Sequence, residues 1–287
     1  MLKTEKIIKQ QDLLIYTQAF GNSTDPCLIL IAGATVSMLF WDESFCSQLA
    51  AKGLFVIRYD FRDTGQSTSY PTGELNYKID DLVDDIFLIL DSYKVNKAHL
   101  MGISLGGMLA QIAAMRHPDR IKSISLMSSM PWADPLMSTP EMDKAILDFQ
   151  ADASSINWDS ENEVLDYMLK GSKLMSGKKS LNVERAKDYI LASFRRANNF
   201  KSQFNHAQLS GGEEYYNQLQ LISCPSLVIH GTEDRICHFN NALSLVQLLK
   251  SQNLTILEGT GHELHEADWN IIIDAVSGMV LTLENKK

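Results

Sequence analysis

Residues 98–111 read AHLMGISLGGMLAQ, an apolar run that turns through Gly-Ile-Ser-Leu-Gly into a stretch with helical spacing. A buried strand ending in a corner this rich in glycine lifts the side chain at its apex, here Ser104, clear of the fold. A GxSxG pentapeptide arises by chance in about one chain in ten of this length, with Gly and Ser at about 7% each. The flanks therefore carry more information than the pentapeptide. HLMGI before it is strand-like and GMLAQIAAMRH after it is helix-like, the setting in which a strained strand-to-helix turn presents a serine hydroxyl at the C-terminal edge of a sheet. Gly102 and Gly106 remove Cβ atoms that such a corner would force together, while Gly107, Ala110, Ala113 and Ala114 let the helix lie close to the sheet. A plain glycine-rich turn that happens to contain serine is the competing reading.

Working outward, short β-rich apolar runs recur at 13–20 (LLIYTQAF), 27–32 (CLILIA), 54–60 (LFVIRYD), 98–103, 121–128 (IKSISLMS), 225–231 (PSLVIHG) and 253–259 (NLTILEG). From the second onward they mostly alternate with helical patterns. In 78–93, Ile79, Leu82, Val83, Ile86 and Leu90 form an apolar stripe, with Asp80, Asp81, Asp84 and Asp85 mainly opposite as a solvated face. Alternation of this kind predicts an α/β fold with a mostly parallel sheet and helices on both faces, because parallel neighbours need crossover connections. The initial strands, with no helix between them, predict an antiparallel edge. The rhythm breaks between Pro131 and about Gln220, where helical segments follow one another without a strand. This predicts a core domain of residues 1–130 and 221–287 interrupted by a helical cap insertion at 131–220.

The chain has 287 residues, 45% hydrophobic and 21% charged, with a net charge of −9. Such a composition describes a water-soluble globular body. The negative charge and the absence of long Lys/Arg runs argue against nucleic acid or an anionic membrane as partner. Cys27, Cys46, Cys224 and Cys237 are widely spaced with no zinc-like pattern, and read as reduced thiols of a cytoplasmic protein. The N-terminal MLKTEKIIKQQDLLIY lacks the continuous apolar core of a signal peptide. The longest apolar stretch, 27–41, falls short of the roughly 20 residues that span a bilayer.

A serine nucleophile needs a general base and an acid to orient it, in the chain order Ser, Asp or Glu, His for this type of corner. Of seven histidines, His99, His117, His206, His230 and His238 fall at structural or surface positions. His262 lies in ILEGTGHELHE, where two glycines let the chain swing a side chain over the sheet edge, and it is the predicted base; His265 is the fallback. VIHGTEDRI places Asp234 and Glu233 just past the penultimate strand. Asp234 is preferred because its shorter side chain holds an imidazole N–H with little entropy loss, with Glu233 left open. The oxyanion donors expected are the main-chain amides of Leu105, next to the nucleophile, and Ala34, in the Ala32-Gly33-Ala34-Thr35 turn.

In this order the AGA turn, RYDFRDTGQS (58–67), GISLGG, GTEDRI and GTGHELH resemble the α/β-hydrolase superfamily over essentially the whole chain. The pattern RYDxRDTGxST, complete through Thr68, is most similar to aclacinomycin methylesterase-like proteins. The resemblance implies an eight-stranded sheet, a helical cap between strands six and seven, Ser104, Asp234 and His262 as catalytic triad, and no cofactor. Two departures stand out. The first oxyanion turn carries Ala32-Gly33 where His-Gly is common, and Arg235 and Cys237 follow the acid where a proline-containing turn is common. Asp60, Arg62 and Asp63 read as braces of their loop through ion pairs and backbone hydrogen bonds.

The expected activity is hydrolysis of a carboxylic ester of a medium-sized apolar small molecule through an acyl-enzyme. The cap would exclude water and line the pocket, with Met130, Trp132 and Met168 foremost and Met137, Met175, Phe194, Phe200 and Phe204 behind them. Many of these side chains at helical spacing must simply be cap core. Carbon–carbon bond hydrolysis, cofactor-free perhydrolysis or haloperoxidation on the same triad, and a non-catalytic small-ligand receptor on a hydrolase scaffold, are the rival readings.

Overall fold

The computed structural model describes residues 3–134, 142–251 and 253–285. Among them, eight strands form one sheet: β1 Lys3–Gln10, β2 Leu13–Phe20, β3 Cys27–Ile31, β4 Phe55–Tyr59, β5 Ala98–Ile103, β6 Ile121–Met127, β7 Ser226–Gly231 and β8 Leu254–Leu257. Their spatial order is β1-β2-β4-β3-β5-β6-β7-β8. The pairs from β4 across to β8 are parallel, and β1–β2 and β2–β4 are antiparallel, so the sheet carries the expected antiparallel edge. The apolar runs of the sequence supply β2 to β8. The eighth strand has no such run: seven of the eight residues of β1 are exposed and only Ile8 is buried. An edge strand so largely wet leaves no apolar pattern to find; pairing with β2, the buried Ile8 and contacts of Lys3 with Glu43 and of Lys6 with the Ser92 carbonyl hold it.

Helix α1 (Glu43–Ala51) joins β3 to β4, and α2 (Ile79–Ser92) joins β4 to β5. Because β4 and β5 lie on opposite sides of β3 and crossovers are right-handed, α1 and α2 fall on opposite faces of the sheet. Helix α3 (Leu105–Arg116) follows β5 and packs against α2. Strand β3 is buried along its whole length, as a central parallel strand covered on both faces must be.

Between β6 and β7 the described residues form no strand. They hold α4 (Lys144–Asp152), α5 (Glu161–Met175), α6 (Val183–Arg196) and a long 3-10 stretch, Phe200–Gln208. Beyond β7 come α7 (Asn240–Leu248) and, after β8, α8 (Trp269–Glu284), which packs on α1. The β6–β7 segment encloses its own apolar cluster of Phe149, Trp158, Val164 and Tyr167, with the Phe149 and Tyr167 rings stacked at 4.3 Å. Met168, Phe194, Phe200 and Phe204 pack around that cluster. Met137 lies outside the described residues.

Two charged motifs take on definite roles. The apolar stripe of α2 is buried as read, but Asp85 is not part of a solvated face: it is buried and forms a bidentate pair with Arg62 at 2.8 and 2.9 Å. A turn of rotation at the edge of the stripe brings it under the 58–67 loop, where only a paired carboxylate is tolerable. In that loop Asp60 accepts both Arg196 guanidinium nitrogens, at 2.9 and 2.7 Å, and the Met38 amide at 2.9 Å. Asp63 accepts from Tyr70 N, Tyr77 Oη and Asn205 Nδ2 at 2.6–3.0 Å. The bracing is of the expected kind, but Arg196 and Asn205 come from the β6–β7 segment. The loop is thus the dock for that segment as well as its own scaffold.

Candidate active site

Loops that leave parallel strands in one direction gather on one edge of the sheet. Here that edge collects the turn after β3, Ser104 after β5, Ser129 after β6, Asp234 after β7 and His262 after β8. Ser104 has φ 52° and ψ −121°, a region that non-glycine residues avoid. Neighbours hold it there: its N–H donates to Met127 O at 3.0 Å, and its carbonyl accepts from Gly107 N at 3.0 Å and Ser129 Oγ at 2.9 Å. The glycines are required by contact. A Cβ on Gly102 would lie 2.1 Å from the Gly106 carbonyl oxygen, and one on Gly106 would lie 2.3 Å from that of Ile31.

Asp234 is buried and accepts on both oxygens. Oδ1 takes the amides of Ile236 and Cys237 at 2.9 and 2.8 Å, and Oδ2 pairs with His262 Nδ1 at 2.8 Å. Burial works to raise its carboxyl, but the charge and hydrogen bond of His262, with His230 and the Cys237 amide, prevail and hold it below the usual carboxylate range. Glu233 points elsewhere and pairs with Lys178 at 2.6 Å. His265 caps the short turn that follows it, accepting the Ala267 amide at 3.2 Å, while its Nε2 faces the Ser180 carbonyl at 3.2 Å. The backbone of His262 is anchored to the β6–β7 segment, its N–H donating to Met175 O at 2.9 Å. Gly261 permits this, since a Cβ there would stand 2.2 Å from the same carbonyl.

Leu105 is the first residue of α3, so its amide is among the unpaired donors at the helix start, where the dipole also favours negative charge. Ala34 sits in the turn after β3. That turn adjoins the serine: a Cβ built on Gly33 would lie 3.5 Å from the Ser104 Cβ. Met168 lines a small cavity beside this turn, together with Thr35, Ile190, Phe200 and Gln203. Gln203 is buried, and its Nε2 has no hydrogen-bond partner. The other two foremost pocket candidates make different contacts. Met130 offers its carbonyl to Gln111 at 2.9 Å. The Trp132 indole N–H donates to Gly212 O at 2.8 Å, its ring tilted against Tyr216; the two residues pin the exit from β6 onto α3.

Two further residues adjoin the site. Cys237, three residues after Asp234, is buried beside Ser104, and that burial drives its thiol far above its ordinary range. His206 reaches the turn after β3 from 171 residues away, accepting the Thr35 amide at 3.0 Å. Cys237 follows the acid in the same turn, whereas His206 belongs to no motif and only the fold brings it to this edge. Among the described residues, no group of three or more His, Cys, Asp or Glu side chains is disposed to hold a metal ion, and no helix is long and apolar enough to cross a membrane.

Residues 26–268 match the family model described as alpha/beta hydrolase fold. The chain is 37% identical over 122 residues to rhodomycin D methylesterase DauP of Streptomyces sp. (strain C5), covering 42% of this chain and 41% of the relative. It is 35% identical over 122 residues to rhodomycin D methylesterase DnrP of Streptomyces peucetius, with the same coverage of 42% and 41%. The chain thus spans about two-fifths of the length of these relatives. Its fold is similar to that of the esterase RhEst1 from Rhodococcus sp. ECU1013, with a TM-score of 0.78 and 19% identity over 99% of this chain and 100% of the other.

Proposed function

This chain belongs to the α/β-hydrolase fold family, and on that premise we propose that it is a serine hydrolase acting on carboxylic esters of medium-sized apolar small molecules. The observation that carries the reading is the 2.8 Å hydrogen bond between His262 Nδ1 and a buried Asp234. A carboxylate in that place fixes the imidazole with its other nitrogen, Nε2, available as base. The strained conformation of Ser104 and the names of the methylesterase relatives support the same reading.

In the mechanism, His262 takes the proton of Ser104 as Oγ attacks the ester carbonyl. The amides of Leu105 and Ala34 hold the oxyanion. His262 then gives its proton to the departing alcohol, leaving an acyl-enzyme. Water, deprotonated by the same imidazole, attacks the acyl carbon and restores Ser104 with release of the acid. No cofactor enters any step. Residues 131–220 act as a cap on a core of 1–130 and 221–287, and Met168 with Ile190 and Phe200 offers an apolar wall on which Gln203 supplies one donor to a substrate acceptor. The four unpaired cysteines suit a cytoplasmic protein.

The test joins labelling to turnover. Wild-type protein is expected to label with a fluorophosphonate on Ser104 and to hydrolyse p-nitrophenyl esters and aryl methyl esters, with Ser104→Ala losing both. Full esterase activity in Ser104→Ala removes the proposal. Folded wild-type protein that neither labels nor turns over esters favours the receptor reading.

A further inference from the structure

We infer that His206 is a positioning residue that sets the turn carrying the second oxyanion donor, an inference that rests on the esterase reading above. Its two ring nitrogens have opposite tasks. Nε2 faces the Arg62 carbonyl at 2.9 Å, and a carbonyl only accepts, so Nε2 carries the proton. Nδ1 is then the lone-pair nitrogen and takes the Thr35 amide at 3.0 Å. The neutral Nε2–H tautomer alone satisfies both.

The turn needs such a partner. Thr35 has φ 62°, a conformation unfavourable for a β-branched residue and held only where surrounding contacts over-determine it. The peptide plane that His206 holds, from Ala34 to Thr35, shares the Ala34 Cα with the plane that carries the Ala34 N–H. Releasing the first plane lets the turn relax and swings the second, moving the donor away from the oxyanion.

The ring itself is fixed. It is 5% exposed and stands edge-on to Phe61 at 5.8 Å and Tyr77 at 6.5 Å. Its neighbour Asn205 bonds Asp63 Oδ2 at 3.0 Å and the Gly73 amide at 2.7 Å, and Ser202 bonds Asp63 O at 3.0 Å. Burial keeps the imidazole neutral, against the pull of the Arg62 carbonyl and the Asp63 carboxylate. The donor turn of the core is therefore completed by a residue of the β6–β7 segment, so the site is fully formed only when that segment is docked.

Two variants separate the bond from the bulk. His206→Leu fills the space without either polar contact, whereas the Oδ1 of His206→Asn stands near the place of Nδ1 and can still accept from Thr35. On p-nitrophenyl esters, His206→Leu is expected to lose about tenfold to a hundredfold in kcat with KM changed less than about threefold, and His206→Asn to recover most of the loss. Hydrogen exchange in the peptide containing Thr35 should quicken in the Leu variant alone. In wild-type protein the ¹⁵N spectrum of the ring should show the Nε2–H tautomer, a reading that needs no variant to fold. His206→Leu with kcat within about twofold of wild type, His206→Asn falling as far as Leu, or an Nδ1–H or doubly protonated ring in wild type overturns the inference. Loss of activity in Ser104→Ala, measured alongside, shows that the esterase reading stands when any of these results appears.

Discussion

Ser104 holds a backbone conformation that costs a side chain about 1–3 kcal/mol, and its neighbours, through the Met127, Gly107 and Ser129 bonds, keep it there. Glycine has no such penalty. Ser104→Gly is therefore expected to abolish ester hydrolysis while raising stability by about 1 kcal/mol, read as a higher urea midpoint at unchanged slope. Asp234→Asn tests the other end of the site. An amide can still accept the Ile236 and Cys237 N–H groups through Oδ1, but its NH₂ cannot accept from His262 Nδ1, so the imidazole turns to the wrong tautomer. A fall of about ten-thousandfold in kcat, with the fold kept as judged by circular dichroism, is the expected outcome. A loss of less than tenfold would put the orienting role on some other group.

At the scale of elements, α6 and the 3-10 stretch after it are tied to the 58–67 loop at several points. The strongest is Arg196 on Asp60, whose carboxylate is fully buried while the guanidinium is 16% exposed. Removing one partner of a buried pair leaves an uncompensated charge, which costs about 3–5 kcal/mol. Arg196→Met should destabilise by about that amount in urea unfolding, and adding Asp60→Asn should return part of the loss because the stranded charge is gone. Equal destabilisation in the single and double variants would mean that the pair acts through packing alone. The start of α4 is tied to the core by Asp143, which pairs with Arg235 beyond β7 at 2.7 Å, but this pair is partly exposed and holds less firmly than the buried one at Asp60, so limited proteolysis is expected to cut α4 and the start of α5 before the Arg196–His206 stretch.

For the whole molecule, buried histidines give stability a pH dependence. Burial lowers both His206 and His230 below the ordinary value of 6.5, so the unfolded chain binds protons that the folded one refuses. Their contribution is present above about pH 6.5 and is lost as the pH falls through the lower folded values. Asp234, held below its ordinary range, adds a second loss at more acid pH, partly offset by Asp85, which burial raises. Urea midpoints are expected to be flat above neutrality and to fall from about pH 6.5 downward, with a shallower slope in His206→Asn. A midpoint that rises on acidification from neutrality would contradict the neutral state of both rings.

The amino-acid sequence by itself determined the strand–helix alternation, the serine corner and the placing of acid and histidine after the last two strands. These are local matters: apolar spacing reports burial, and a glycine at a contact as close as that of Gly102 admits nothing larger. The tertiary structure decided which side chains meet across distance. It showed β1, which pairs without burying an apolar face, and it moved Asp85 from a water-facing row to a buried pair with Arg62. It also turned the 58–67 loop into the dock for Arg196 and Asn205, and brought His206 to Thr35. Contacts of this kind depend on where chain segments far apart in order come to rest, and no period or motif along the chain encodes that position.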